Sequence, residues 1–283
     1  MNKCLVIAEI ASSHNQDLDL AKALINAAAK NGADIVKFQD WRASNVSDKD
    51  PDKKRYERYQ FPEEWYTELI PYCKERGVEF LTTCVNADRA KFLADLGLKK
   101  VKIASISLTN YELLIQLGAH FEELIVSTAF HSREEIEEAI DLLQTNAQKF
   151  TILACTGEYP CPPEHAGLER MNTLREMVRG IEYAGVGYSC HVLDLDAPRA
   201  AIAMGAEYLE VHFSLSRYLP QIPHQMYQGG PKMTTHMVSL EPHELKELSN
   251  WRDKVALMKG MGEFKNNEVE EAIKSRYKNR YGR

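Results

Sequence analysis

The sequence contains no apolar run long enough to cross a membrane, and no apolar leader at its start. Only seven residues separate Met1 from the first acidic side chain, Glu9, after a lysine at position 3. A signal peptide needs a longer apolar core than this, and a membrane span needs a longer one still. We therefore expect a protein that stays in the cytoplasm and has no membrane partner.

Cysteine is also scarce, and acidic residues outnumber basic ones. Six cysteines in 283 residues show neither zinc-knuckle spacing nor the density of a secreted scaffold, so reduced thiols and no disulfide are expected. The formal net charge of -6 excludes the broad basic field that nucleic-acid binding requires. The last ten residues form the basic cluster, which we interpret as part of a solvated tail.

Short apolar runs rich in Val, Ile and Leu alternate with amphipathic stretches, which is typical of βα units around a parallel sheet. Eight such cycles predict an α/β fold, a single (β/α)8 TIM barrel over residues 1–263, followed by a charged tail at 264–283. The alternative, an open doubly wound sheet, is disfavoured because no glycine-rich phosphate fingerprint follows the first strand. The predicted strands are 4–10, 33–38, 78–83, 100–104, 123–127, 150–154, 182–188 and 207–213. The predicted helices are 18–31, 62–76, 87–96, 111–117, 133–144, 174–178, 197–204 and 242–259.

Five glycines follow the predicted helices and are expected to close them with a left-handed residue: Gly32, Gly77, Gly97, Gly118 and Gly205. Two connections are long, residues 39–61 and 214–241. Long loops after barrel strands usually cover substrates, so we assign both to the active face.

Two lysines and a set of hydroxyls stand at the predicted carboxyl ends of the strands, where barrel enzymes build their sites. Lys37 and Lys102 would be costly there unless an anion meets each ammonium group. The anion could be a ligand, or a carboxylate of the chain such as Glu9 or Asp40. Hydroxyls beside the lysines suit phosphate or carboxylate oxygens: Thr83, Ser105, Ser127 and Ser189.

His191 and His212 end the seventh and eighth predicted strands, which are neighbours in a barrel. Their imidazoles could reach one ion and leave most of its coordination sphere to water and substrate. This pattern favours a labile divalent cation such as Mn²⁺ or Mg²⁺, because a closed zinc site needs four protein ligands.

Seven segments in this order resemble the sialic acid synthase family. They are Ala8-Glu9-Ile10, Val36-Lys37-Phe38-Gln39, Lys102-Ile103-Ala104-Ser105, Leu124-Ile125-Val126-Ser127-Thr128, Cys155-Thr156-Gly157-Glu158-Tyr159-Pro160, Gly187-Tyr188-Ser189-Cys190-His191 and Glu210-Val211-His212-Phe213. The resemblance implies condensation of phosphoenolpyruvate with a small open-chain sugar aldehyde, which releases phosphate and gives a 3-deoxy-2-keto sugar acid. It also implies a homodimer.

The resemblance carries roles to matching positions. Phosphoenolpyruvate would be held by Lys37, Thr83, Lys102, Ser105, Ser127 and Ser189, and the metal by His191 and His212. Glu9, Gln39 and Tyr159 join the two lysines as catalytic candidates. Gly157 and His14 are further substrate-binding candidates, the latter because Ser13-His14-Asn15 resembles a family motif.

Several positions depart from the family pattern. Ser107 stands where the family usually has an acidic residue, so the proton-handling group is open, with Glu9 and Glu158 as possible substitutes. Gly157 replaces Asn or Ser, and the chain shows no counterpart of the family's C-terminal antifreeze-like domain. We therefore expect an acceptor other than N-acetylmannosamine.

Two other functions are compatible with these residues. In a class I aldolase, Lys102 or Lys37 would form a Schiff base with pyruvate, and the histidines would act as acid and base. The second is a non-catalytic barrel that binds phosphoenolpyruvate or a sugar acid. Such a protein would not need the acidic residue that Ser107 replaces.

Overall fold

Eight parallel strands close into a barrel in chain order, each paired with its sequence neighbours and the first paired with the last. The computed structural model describes residues 3–221, 224–225, 232–233, 235–260 and 263–281. The barrel strands are β1 (Leu5–Glu9), β2 (Ile35–Asp40), β3 (Glu79–Cys84), β4 (Lys100–Ile103), β5 (Glu123–Ser127), β6 (Phe150–Cys155), β7 (Ala184–Cys190) and β8 (Tyr208–His212). Each lies within two residues of its predicted bounds.

The helices cover the outside of this barrel. They are α1 (Leu18–Lys30), α2 (Lys53–Tyr59), α3 (Glu64–Glu75), α4 (Ala90–Asp95), α5 (Tyr111–His120), α6 (Arg133–Asn146), α7 (Arg170–Met177), α8 (Asp196–Ala203), α9 (Pro242–Lys259) and α10 (Glu268–Tyr281). A two-stranded ribbon, β9 (His224–Gln225) with β10 (Lys232–Met233), lies in the loop after β8. No helix in the described ranges is long and apolar enough to span a membrane.

Local sequence signals fix several helix ends. The Asp17 side chain accepts a hydrogen bond from the Leu20 amide at 3.0 Å and begins α1. Ser132 and Glu135 form a reciprocal capping box at the start of α6. Four of the five predicted glycines have positive φ, but the prediction for Gly118 is wrong, because that residue lies inside α5 without positive φ.

Two helices have no counterpart in the sequence prediction. Helix α2 lies in the long loop after β2, and α10 lies in the terminal segment expected to be a solvated tail. Both are rich in charged residues, and the described side chains of α10 are all exposed. Neither therefore carries the wide apolar stripe by which amphipathic helices are recognised.

The amino-terminal end of the barrel interior is closed by charge as well as by apolar packing. The buried carboxylate of Glu123 accepts a hydrogen bond from the Tyr208 hydroxyl at 3.0 Å and lies 3.0 Å from Lys149 Nζ. Lys100 Nζ lies 3.7 Å from the same carboxylate. Because β-strand side chains alternate, Lys100 and Lys102 face the same interior at successive levels.

Candidate active site

The barrel interior changes from apolar to polar at one level. An inner cluster consists of Ile7, Ile35, Leu81, Ile125, Leu153 and Tyr208. Two residues further along the same strands, hence on the same face, stand Glu9, Lys37, Thr83, Ser127, Cys155 and Glu210. Lys102 and Ser189 complete this charged layer from β4 and β7. One pleat higher again, Gln39, His191 and His212 line the floor of an open cavity.

Lys37 lies between two carboxylates in the charged layer. Its Nζ is 2.5 Å from Glu9 Oε2 and 3.4 Å from Glu210 Oε2, and it donates to Thr83 Oγ1 at 3.1 Å. Burial alone would lower the pKa of Lys37, but Glu210 and Glu9 raise it, so the side chain stays charged. The carboxylate pairing left open by the sequence therefore occurs with Glu9. Asp40 instead pairs with Arg42 and Arg89.

Glu210 is the charged residue of this site that the sequence analysis did not select. Its Oε1 accepts a hydrogen bond from Ser189 Oγ at 3.1 Å. Burial raises its pKa, but Lys102 and Lys37 outweigh that effect and lower it to about 2. The sequence could have identified Glu210, because a residue two positions before His212 in a strand faces the same side of the sheet as His212.

Lys102 has a different environment from Lys37. Its Nζ, in a side chain only 2% exposed, donates to Ser127 Oγ at 2.5 Å and to the Ile103 carbonyl at 3.0 Å. Among the described residues no carboxylate lies within ion-pair distance of it. Burial lowers the pKa of Lys102, and the nearby Glu210 opposes that shift. An anion bound here would add a direct countercharge to the more distant one that Glu210 supplies.

The two histidines lie at the same mouth as the two lysines. Their ring centroids are 5.5 Å apart, and the Tyr159 ring packs on His191 at 3.8 Å and on His212 at 5.7 Å. Burial lowers the pKa of His191 to about 4 and that of His212 well below its usual value, so both rings are neutral near pH 7. Because the Tyr159 ring contacts both imidazoles, it restricts their orientation.

The donor set of the histidine pair fits a divalent cation with an open coordination sphere. The carbonyl of Thr156 lies 2.7 Å from His191 Nδ1 and can only accept, which assigns the proton to Nδ1 and leaves Nε2 as a free lone pair. In the described part of the chain no third His, Cys, Asp or Glu joins a ligand cluster. The remaining ligands of such an ion would therefore be water and substrate oxygens.

A cavity of about 720 Å³ opens above this floor. Thr83, Ser105, Gly157, Tyr159 and the two histidines line it, together with nine residues of the loop after β2. The prediction that residues 39–61 cover the active face is thus confirmed. Phe130, which has positive φ, packs against Gly157 so closely that a β-carbon at 157 would overlap its ring.

Not every candidate residue reaches the cavity. His14 is buried among Phe38, Phe61 and Trp65, with ring centroids 5.3 to 6.1 Å away, and does not line the cavity. Glu158 is exposed, and its Oε2 lies 2.8 Å from His165 Nδ1. Of the two acids that could replace the family residue at Ser107, Glu9 is therefore the one in the charged layer.

Comparisons with known proteins identify the family of this chain. The family model of the NeuB family matches residues 24–264. The chain is 34% identical over 297 residues to N,N'-diacetyllegionaminic acid synthase of Campylobacter jejuni, a match that covers 99% of this chain and 82% of the relative.

Solved structures extend the comparison to the fold. The N-acetylneuraminic acid synthetase of Leptospira borgpetersenii, solved with citrate, superposes with a TM-score of 0.87 and 25% identity, covering 100% of this chain and 93% of that one. The spore coat polysaccharide biosynthesis protein spsE of Bacillus subtilis matches with a TM-score of 0.78 and 32% identity, over 94% of this chain and 72% of that one. The predicted barrel and the resemblance to sialic acid synthases are confirmed, and the chain belongs to the NeuB family.

Proposed function

We propose that this chain condenses phosphoenolpyruvate with an open-chain sugar aldehyde at the barrel mouth. The observation that carries the proposal is the stacking of two levels at one rim. A buried layer with two ammonium groups lies directly beneath two neutral imidazoles that face a cavity. Such a site can hold an anionic enol phosphate below and a carbonyl above.

The charged layer and its hydroxyls would bind phosphoenolpyruvate. Lys102 offers a buried ammonium with no carboxylate partner, and Ser127, Ser105 and Thr83 offer hydroxyls beside the lysines. Ser105 Oγ accepts from the Ala129 amide at 3.0 Å, and its hydroxyl lies within hydrogen-bond reach of Cys155. In a site shielded from water these charges act with little screening.

His191 and His212 would hold a divalent cation, Mn²⁺ or Mg²⁺, which when bound supplies Lewis acidity to the aldehyde oxygen. Glu9 would handle a proton. Burial raises the pKa of Glu9 to about 7, so the carboxyl can take up or release a proton near neutral pH. Its Oε1 is buried with no hydrogen-bond partner among the described groups, which leaves it free to contact a substrate or water.

The reaction then follows in a balanced sequence. The enol carbon of phosphoenolpyruvate attacks the aldehyde carbon, and the aldehyde oxygen takes up a proton. Water adds to the resulting cationic carbon and loses a proton. The carbon–oxygen bond to phosphate breaks, and the new hydroxyl passes its proton to the departing phosphate and becomes the keto group of the product.

A phosphate-release assay tests the proposal. The enzyme, phosphoenolpyruvate, Mn²⁺ and a panel of aldoses, amino sugars and sugar phosphates should release phosphate only when an accepted aldehyde is present. A chelator should abolish release, and Mn²⁺ should restore it. Release that persists with His191→Ala and with chelator would contradict the metal role.

One observation favours a second candidate, the class I aldolase. Burial lowers the pKa of Lys102, and a depressed lysine pKa is what Schiff-base chemistry requires. Borohydride should trap pyruvate on Lys102 if that chemistry operates. The synthase proposal expects no trapping.

The proposal also covers the acceptor sugar, the oligomeric state and the cellular location. We expect an acceptor other than N-acetylmannosamine, and efficient formation of N-acetylneuraminate would contradict this. The family resemblance is the reason to expect a homodimer. A location in the cytoplasm is expected because all six cysteines are free and buried. Light scattering of the purified chain tests the dimer.

A further inference from the structure

Arg55 is a buried cation in the loop that covers the cavity. It lies in α2 and is only 9% exposed. It lines the same cavity as His191, His212 and Gln39, but from the loop after β2, whereas those three residues stand at strand ends.

The guanidinium of Arg55 has no ion-pair partner in the described part of the chain. Burial lowers its pKa, and the nearby Tyr56 and Asp52 offset that shift only in part. Among the described residues no carboxylate lies within 4.0 Å of it, and its Nε is buried without a hydrogen-bond partner. The Tyr59 ring lies beside the guanidinium, with its centroid 6.0 Å from Cζ. A buried guanidinium without an anion is costly, because it has lost its hydration without compensation.

In the described part of the chain the other arginine that lines this cavity, Arg42, also has a buried Nε without a hydrogen-bond partner, but it has carboxylates within ion-pair distance. Arg42 Nη2 lies 2.8 Å from Asp40 and 3.1 Å from Glu63, and its Nη1 donates to the Phe61 carbonyl at 3.1 Å. The two acids nearest to Arg55 in sequence that line the cavity are Asp50 and Asp52. They do not pair with it, and Asp50 Oδ1 instead accepts from the Asp52 amide at 2.8 Å.

We propose that Arg55 binds an anionic group, a phosphate or a carboxylate, carried by the acceptor aldehyde away from its reacting carbonyl. The inference rests on the proposed condensation, since it specifies the acceptor of that reaction. The cavity places the unpaired guanidinium apart from the strand ends that meet phosphoenolpyruvate and the metal. The planar fork of arginine suits the oxygens of either anion.

Matched acceptors test this specificity. Mannose, mannose 6-phosphate and mannuronate differ at one carbon, and the amino-sugar pair N-acetylmannosamine and its 6-phosphate repeats the comparison. With saturating phosphoenolpyruvate and Mn²⁺, wild-type kcat/KM should favour the better anionic sugar over its neutral counterpart by about 100-fold. Comparing mannose 6-phosphate with mannuronate shows whether phosphate or carboxylate is preferred.

Variants separate the loss of anion recognition from a general loss of stability or activity. Arg55→Met should reduce the anionic preference to near one, mainly through KM, and Arg55→Lys should retain part of it. Arg58→Ala, an exposed arginine on the same helix, should keep the wild-type preference. Because Arg55→Met removes an unpaired buried charge, it should unfold at the wild-type temperature or above it.

A binding readout keeps this inference distinct from the condensation itself. Anionic sugars, but not neutral ones, should raise the unfolding temperature of the wild type and fail to do so in Arg55→Met. If no aldehyde yields phosphate but this difference in protection persists, the condensation is wrong and the anion site stands. Equal turnover or protection by neutral and anionic sugars, unchanged in Arg55→Met, overturns the inference.

Discussion

The two lysines of the charged layer differ in what their removal leaves behind. Lys37→Met would leave Glu9 and Glu210 without the ammonium group that pairs with both of them. Lys102→Met would remove an ammonium group that has no carboxylate within ion-pair distance among the described residues. We expect Lys37→Met to lower the free energy of unfolding by about 3–5 kcal/mol. Lys102→Met should lower it less, because Glu210 then loses one ammonium but keeps its ion pair with Lys37.

Urea unfolding and phosphate release measure the two effects side by side. Both variants should lose turnover, because both ammonium groups are proposed to bind phosphoenolpyruvate. Phosphoenolpyruvate should raise the unfolding temperature of the wild type but not of Lys102→Met. Equal destabilisation by the two substitutions would show that the pairing pattern does not control stability.

His14 should make stability depend on pH. Burial lowers the pKa of His14 to about 4, so between pH 6.5 and 4 the unfolded chain binds a proton that the folded chain does not. Stability contributed by the neutral ring is therefore present above pH 6.5 and lost as the pH falls, at about 1.4 kcal/mol per pH unit within that window.

His14→Phe isolates this contribution, because the new ring suits the surrounding aromatic side chains. Other buried histidines also titrate, so the informative quantity is the difference between the two profiles. The wild-type free energy of unfolding, measured in urea at several pH values, should fall more steeply than that of the variant. Parallel profiles would show that His14 does not titrate as its burial requires.

At the scale of elements, Gly118 decides how closely α5 approaches the end of α6. A β-carbon at this position would lie 2.5 Å from the Asn146 carbonyl oxygen, which belongs to the backbone. Gly→Ala inside a helix usually stabilises by about 0.5–1 kcal/mol, but overpacking costs about 1–3 kcal/mol. We expect the overpacking to win, so that Gly118→Ala lowers the urea midpoint.

Ala119→Gly is the matched control, since this neighbour in α5 is exposed. It should show only the helix-propensity cost of about 1 kcal/mol. A higher urea midpoint for Gly118→Ala than for the wild type would mean that α6 moves aside without cost.

The elements that sequence periodicity found are those that bury a face. All eight barrel strands and the helices packed on them were predicted, because burial imposes apolar patterning. Helix α2 was missed although it lines the cavity, and with it Arg55. No local pattern distinguishes a charged helix that covers a cavity from a solvated loop.

At the scale of the whole molecule, we expect α10 to be separable from the barrel. Its described side chains are exposed, while the hydrophobic core around the strands ends with Val255 of α9. A chain ending at Glu263 should therefore change the free energy of unfolding by no more than about 0.5 kcal/mol. Equilibrium urea unfolding measures this, and light scattering reports whether α10 contributes to self-association. A large loss of stability would show that the barrel and the segment 264–283 do not fold independently.

The barrel, its strand order and most of the polar residues at its rim follow from the sequence, although Glu210 and Arg55 were not selected. A strand alternates faces every second residue, and strands in chain order bring their carboxyl ends to one mouth. Which charges neutralise one another depends on the folded arrangement of the side chains. Lys37 pairs with Glu9 and Glu210, whereas Lys102 and Arg55 have no carboxylate partner among the described residues, because ion pairing depends on distances of a few ångströms between side chains remote in sequence.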